Sequence, residues 1–255
     1  MISENDFNTL TTRAKTYKYS SMNYIEFVDC KNAIILHDSH DLIFLQDTST
    51  TPAMLYFATN NFNLVIDAVA KLSGQLRIHF VPRKFASQLK GFTEWAELAD
   101  FFNTDLQNTS TTHSKPEYLN PNECEAVAQL SQRCKLQSRG FEGETAEWFS
   151  KWQRENKVII VREASNIVGF CCVSIYDIGT GITLLIAMLA VNPAFQGMGY
   201  GKKLLEQAID YGVENGAAKG FLHADVLNKN AIGLYNKYNF HAAGDYELQM
   251  ITNYK

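Results

Sequence analysis

The sequence lacks what several large classes of protein require. Its longest apolar run, Leu184 to Val191, is far too short to cross a bilayer as a helix. The opening residues MISENDFNTL carry no basic segment followed by an apolar stretch, so no secretory signal is expected. Charge of neither sign dominates: 23 Lys and Arg face 27 Asp and Glu, a net charge of −4. That balance argues against a protein that binds nucleic acid by counterion release. The 5 cysteines show no C-x-x-C spacing, and the adjacent Cys171 and Cys172 would point to opposite faces of a strand, poor geometry for one metal. They are expected to be reduced thiols filling the core of a cytoplasmic protein, with no metal, membrane or nucleic-acid partner.

What is present suits two domains. A length of 255 residues, 46% of them hydrophobic, can supply two cores. In the first part, β-like runs at Tyr24–Val28, Ala33–Leu36, Leu42–Leu45 and Met54–Ala58 precede an amphipathic helix over Asn63–Leu72 and a strand over Leu76–Val81. Phe85, Leu89, Trp95, Leu98, Phe101 and Phe102 suggest a further helix and a closing segment. Residues 103–120 are rich in Thr, Ser and Asn with no apolar period, which predicts a linker with its boundary near Ser110–Pro116. The domains expected are therefore 1–112, an α/β unit, and 117–255.

The second part restarts with Asn120-Pro121-x-Glu123, a helix start, then a helix near Thr145–Asn156 carrying Trp148, Phe149 and Trp152. Strands over Val158–Arg162, Ile167–Tyr176 and Leu184–Val191 come next. A helix to about Gly216, a strand over Phe221–Val226, a helix over Asn230–Tyr238 and a closing strand region complete the chain. The order predicts an α+β fold with a parallel strand pair at its centre.

The chemistry centres on Gln196-Gly197-Met198-Gly199-Tyr200-Gly201, a glycine-rich corner between a buried strand and a helix. Helix-opening amides have no helical acceptors, and the helix dipole adds partial positive charge, so the corner suits a phosphate or diphosphate. A Walker loop fails, because Gln196 stands where its first Gly belongs and Lys203 where Ser or Thr belongs. A dinucleotide fingerprint begun at Gly197 puts Lys202 at its last Gly, and the corner lies too far along the chain. An ordinary strand-to-helix turn remains the plain alternative.

The segment Val191-x-Pro193-x-x-Gln196-x-x-Gly199-x-Gly201 resembles the acetyl-CoA-binding motif of the GNAT superfamily of N-acetyltransferases. Asn228-x-x-Ala231-x-x-Leu234-Tyr235-x-Lys237-x-x-Phe240 is similar to that superfamily's second motif, with Asn239 in place of the usual Gly. The resemblance implies a GNAT-like, mainly antiparallel mixed sheet flanked by helices over 117–255. It implies acetyl-CoA as co-substrate, a small-molecule or peptide amine as acceptor, and a monomer or homodimer. The backbone of Leu189, Ala190 and Val191 would meet the pantetheine arm. Gln196, Gly197, Met198, Gly199, Tyr200, Gly201 and Lys202 would hold the diphosphate, a side chain at Gly199 or Gly201 obstructing it. Asn228 would touch the cofactor or hold the loop before its helix. Tyr235 resembles the tyrosine that protonates the departing thiolate, and His223 stands where some relatives carry a basic-role Glu; Asp225 or a water chain are its substitutes. A catalytically silent acyl-CoA sensor is the rival reading. For residues 1–112 a degenerate GNAT-like copy and an unrelated α/β domain stay equally open.

Overall fold

The computed structural model describes residues 1–23, 25–112, 114–135, 137–177, 181–243 and 246–252; residues 178–180 of the turn expected after Tyr176 lie outside them. The chain forms two compact units, Met1–Leu98 with Asp245–Lys255, and Ala99–Gly244. The division thus falls ahead of the expected linker, and the closing strand joins the first unit. Packing explains the difference: Ala99 and Phe101 are buried in the second core, while Leu248 and Met250 are buried in the first.

The first unit begins with α1 (Glu4–Ala14), opened by a capping box between Ser3 and Asp6. It continues through β1 (Tyr19–Ser20), α2 (Phe27–Cys30), β2 (Ile34–Asp38), β3 (Leu42–Asp47), β4 (Ala53–Thr59), α3 (Asn63–Val69), β5 (Leu76–Pro82) and β6 (Phe92–Asn103), whose last residues belong to the second unit. Of the strand expected at Tyr24–Val28, Tyr24 lies outside the described residues, and Phe27 and Val28 open α2. Glu26 and Asp29 form a second capping box there, a local signal that outweighs the β propensity of Phe27 and Val28. The helix expected after Phe85 is only a 3-10 turn, Arg83–Gln88, and Trp95 and Leu98 lie on β6. Strands β2, β3 and β4 are antiparallel neighbours, and β4 then pairs in parallel with β5 across the crossover containing α3.

Strand β5 carries a half-buried histidine. Nε2 of His79 is shut off from solvent with no hydrogen-bond partner among the described residues, although the residue keeps a partly exposed edge. Burial, and next the Arg77 charge, push its pKa down to about 3. The unfolded chain takes up this proton below about pH 6.5 and the folded chain refuses it. Stability is therefore complete above pH 6.5 and declines as the pH falls toward 3. His79→Phe is expected to shrink the loss between pH 7 and pH 5 by up to about 2 kcal/mol, read by urea unfolding at both pH values.

The second unit holds β7 (Glu117–Tyr118), α4 (Cys124–Arg133), α5 (Ala146–Arg154), β8 (Val158–Glu163), β9 (Asn166–Asp177), β10 (Ile182–Val191), α6 (Tyr200–Glu214), β11 (Lys219–Asp225), α7 (Lys229–Lys237) and β12 (His241–Ala242). Strands run in the order β11, β10, β9, β8, β7, with the end of β6 beside β11. Strands β10 and β11 pair in parallel with α6 as their crossover, and β10/β9, β9/β8 and β8/β7 are antiparallel. Helix α6 lies close on β10 because Gly212 lacks a side chain; a Cβ there would stand 3.0 Å from the Leu184 side chain. Trp148, Phe149 and Trp152 are buried on α5, with the two indoles stacked 4.8 Å apart, and form part of the interior.

The Thr- and Ser-rich segment is polar for a structural reason. Helix α6 buries Glu206, Gln207 and Asp210. Thr112 Oγ1 donates to Glu206 at 2.8 Å, Thr111 Oγ1 to Asp210 at 2.5 Å, and Gln207 Nε2 to the Lys115 carbonyl at 3.1 Å. The segment satisfies buried polar groups that water would otherwise have to reach. The final strand, β13 (Glu247–Thr252), pairs with β5 and with the Phe92–Leu98 part of β6, both within the first unit.

Candidate active site

Strands β10 and β11 start as a parallel pair and then part. Their pairing runs from Thr183↔Lys219 to Ile186↔Leu222 and stops there, while β10 continues along β9 to Val191. A β-bulge lies at the point of parting, between Ile186 and Met188 on the β9 side. Such an insertion bends the strand and re-aims the residues beyond it.

Past the bulge the backbone alternates. The Asn192 N–H donates to the Val168 carbonyl at 2.8 Å, and bonded pairs in an antiparallel ladder recur at every second residue. Ala190 and Met188 therefore turn their backbone groups toward β9, and Leu189 and Val191 turn theirs toward the opening. The Val191 carbonyl fits this direction, since it accepts from Gln196 Nε2 at 3.1 Å. Of the three backbone positions expected to meet a ligand, Leu189 and Val191 face the opening. Ala190 sits opposite Phe170 and turns its backbone groups to β9.

The corner comes next. Asn192 caps a 3-10 turn over Pro193–Phe195, and the Gln196 bond to Val191 ties the corner back to its strand. Gly197 and Gly199 have φ of +77° and +90°, the left-handed region that side chains resist. Gly199 is the N-cap of α6, and no side chain caps the helix. The first helical bond runs from the Lys203 N–H to the Gly199 carbonyl, which leaves the amides of Tyr200, Gly201 and Lys202 without helical acceptors. A Cβ built on Gly197 or Gly199 meets nothing within 4 Å, so both face open room. A Cβ on Gly201 meets Leu234 at 3.7 Å and Val191 at 3.8 Å, ordinary contacts within the protein. Met198 is exposed, the Tyr200 hydroxyl donates to Glu163, and Lys202 Nζ stands 4.0 Å from Glu206.

Helix α7 supplies the other wall. Asn228 is its N-cap, with Oδ1 accepting from the Ala231 N–H at 3.2 Å. This bond holds the loop before the helix. Asn239 takes φ +60°, the left-handed conformation that its replacement of Gly requires. Tyr235 is 8% exposed, and its hydroxyl makes no hydrogen bond among the described residues. Burial, followed by the nearby Cys171, pushes its phenol well above the ordinary tyrosine range.

On β11, Leu222 and Ala224 enter the core, which turns Phe221, His223 and Asp225 to the other face. Asp225 accepts a fork from Arg139, Nη2 at 2.6 Å and Nε at 3.0 Å, and also the Leu227 N–H at 3.2 Å. A carboxylate so engaged is a poor substitute base. His223 Nδ1 lies 2.8 Å from Oδ1 of Asp100, at the end of β6. The sequence pattern misses Asp100, because it stands among residues that read as the closing segment of the other domain. A second missed feature is a cavity of about 530 Å³ bounded by Thr112, Lys202, Glu206, Leu234, Lys237 and Tyr238. Tyr238 donates to the buried Glu206 at 2.7 Å on its floor. Among the described residues no group of three His, Cys, Asp or Glu side chains is placed to hold a metal, and no helix is long and apolar enough to cross a membrane.

Comparison with known proteins gives this geometry a family. The sequence model of the acetyltransferase (GNAT) family matches residues 124–240. No curated protein matches the chain significantly. Among solved structures, an acetyltransferase of the GNAT family from Colwellia psychrerythraea is similar over 100% of this chain and 98% of its own, with a TM-score of 0.60 at 11% identity. A GCN5-related N-acetyltransferase from Sphaerobacter thermophilus is similar over 85% of this chain and 82% of its own, with a TM-score of 0.54 at 12% identity. At such identities the likeness is one of fold. The chain thus carries, at residues 124–240, a domain of the acetyltransferase (GNAT) family.

Proposed function

We propose that the protein transfers an acetyl group from acetyl-CoA to a primary amine by direct attack in a ternary complex. The observation that carries this is a set of three features in the second unit: a parted strand pair, a helix N-terminus with no side-chain cap at the end of one strand, and a buried phenol on the helix that packs into the same core. The amides from Gly197 to Lys202 hold the diphosphate, and Gln196 and Asn228 keep the two flanking loops in place. Leu189 and Val191 offer backbone groups to the pantetheine arm, much as a sheet edge receives an added strand. Acetyl-CoA supplies the activated thioester.

Within that arrangement His223 takes a proton from the attacking nitrogen. The new C–N bond forms as the C–S bond breaks, and Tyr235 gives its proton to the departing thiolate. A covalent acyl-enzyme is disfavoured by the thiols themselves. Burial raises Cys134 to about 11 and lifts Cys171 and Cys172 far above the usual range. None of the three offers a thiolate near neutrality.

The first unit repeats the antiparallel β2–β3–β4 run and the parallel β4/β5 pair across a helix, the same order as β8–β9–β10, α6 and β11. This order favours a degenerate GNAT-like copy over an unrelated domain, and α3 lacks a glycine corner before it.

The test is release of free thiol from acetyl-CoA in the presence of a broad panel of amines. Amine-dependent release with a matching acetylated product is expected. Tight acetyl-CoA binding with no turnover on any amine would favour a silent acyl-CoA-binding module instead.

A further inference from the structure

Resting on that acetyl-transfer reading, we propose that Asp100, which precedes the family-matched segment, is the positioning residue for His223. Asp100 fixes the proton on Nδ1 and so presents Nε2 as the base.

Strand β6 ends inside the second unit, where Ala99 and Phe101 are buried in the core. Alternation puts Asp100 and Phe102 on the opposite face, the face that carries Phe221 and His223 of the neighbouring β11. The register is visible in the rings: Phe102 and Phe221 lie 4.9 Å apart, which brings Asp100 opposite His223. On its other side the strand is held by β12, and just past it the Ala243 N–H donates to the Asp100 carbonyl at 2.9 Å. Phe221 packs edge-on against the imidazole at 4.6 Å and fixes its plane. The contact is partly sheltered, with side-chain exposures of 19% for His223 and 26% for Asp100. Of the other charged groups near this face, Asp225 is committed to Arg139. Tyr176 on β9 feels Asp100 as well, its phenol raised first by burial and then by that charge.

A neutral imidazole has one N–H, and the partner of one nitrogen decides the role of the other. At 2.8 Å, Oδ1 of Asp100 is within reach of a proton on Nδ1, and with the proton held there the lone pair sits on Nε2. When Nε2 takes the proton of the attacking amine, the Asp100 carboxylate stabilises the imidazolium that results. The proton passes on to solvent as the product leaves, which restores the ring for the next turnover.

Two measurements test the assignment. ¹⁵N NMR of labelled protein reads the His223 tautomer without any substrate. The Nδ1-protonated form is expected in the wild type and a shift toward Nε2–H in Asp100→Asn; an Nε2–H tautomer in the wild type would overturn the proposal. In kinetics, Asp100→Asn is expected to lower kcat roughly 100-fold, with acetyl-CoA KM within about twofold of wild type, and Asp100→Glu to recover part of it. Combined with His223→Gln, it should add nothing further, because Asp100 acts through that ring. If the two losses multiply, or if His223→Gln stays fully active, Asp100 has no such role while acetyl transfer itself stands. A wild type that consumes no acetyl-CoA with any amine removes the acetyl-transfer reading, and the tautomer still decides the Asp100–His223 pairing.

Discussion

Tyr235→Phe is expected to lower kcat by roughly 100-fold or more and to leave acetyl-CoA affinity and thermal stability close to wild type. The stability half of this expectation rests on the hydroxyl having no partner among the described residues, so its removal orphans nothing. The ring remains, packed in the core 6.1 Å from Phe101. What disappears is the phenol proton that the proposed mechanism gives to the departing thiolate. Because burial raises the phenol, Tyr235 stays protonated well past pH 10, the ordinary range for tyrosine. The wild-type rate should accordingly show no alkaline decline from this group up to pH 10, read from initial rates across a pH series. A Tyr235→Phe enzyme that keeps its full rate would remove the phenol from the chemistry.

Gly199→Val is expected to weaken acetyl-CoA binding at least 100-fold, measured by calorimetry. Two effects combine. At φ +90° a β-branched residue is strained, a cost of about 1–2 kcal/mol that falls on the folded state. The side chain would also enter the open room beside the helix amides, where a Cβ meets no protein atom within 4 Å. Gly199→Ala separates the two, because it adds less bulk with a similar backbone demand. The contrasting control is Gly201→Ala. Its Cβ makes only ordinary contacts at 3.7 Å and 3.8 Å, and its backbone is helical, so the fold should tolerate it fully. Any loss of affinity there comes from the ligand alone.

Much of the second unit is legible in the sequence because its signals are local. Asn120 and Glu123 open a helix, Thr145 caps the next, and the corner's glycines sit where left-handed backbone is required. Asn239 can be read as a left-handed substitute for Gly from its type alone. The pairing of Asp100 with His223 is not legible, since it depends on strand register between residues far apart in the chain. The spacing of buried residues on β6 adds to the difficulty. Ala96, Ala99 and Phe101 mix a step of three with a step of two, so no single period identifies a strand. The Thr- and Ser-rich segment misleads for the opposite reason. Polarity usually marks a solvated linker, yet here it matches the carboxylates that α6 buries. Ala190 shows a finer limit: the motif marks a strand that meets a ligand, but only hydrogen-bond alternation tells which backbone groups point outward.

Every proposed step depends on the second unit accepting an acyl-CoA along β10 and the α6 corner. Titration calorimetry of the full chain with acetyl-CoA tests that most directly. One molecule bound per chain, with binding lost in Gly199→Val and kept in Tyr235→Phe, is the predicted result. Absence of measurable heat or competition with any coenzyme A ester in the wild type would contradict it.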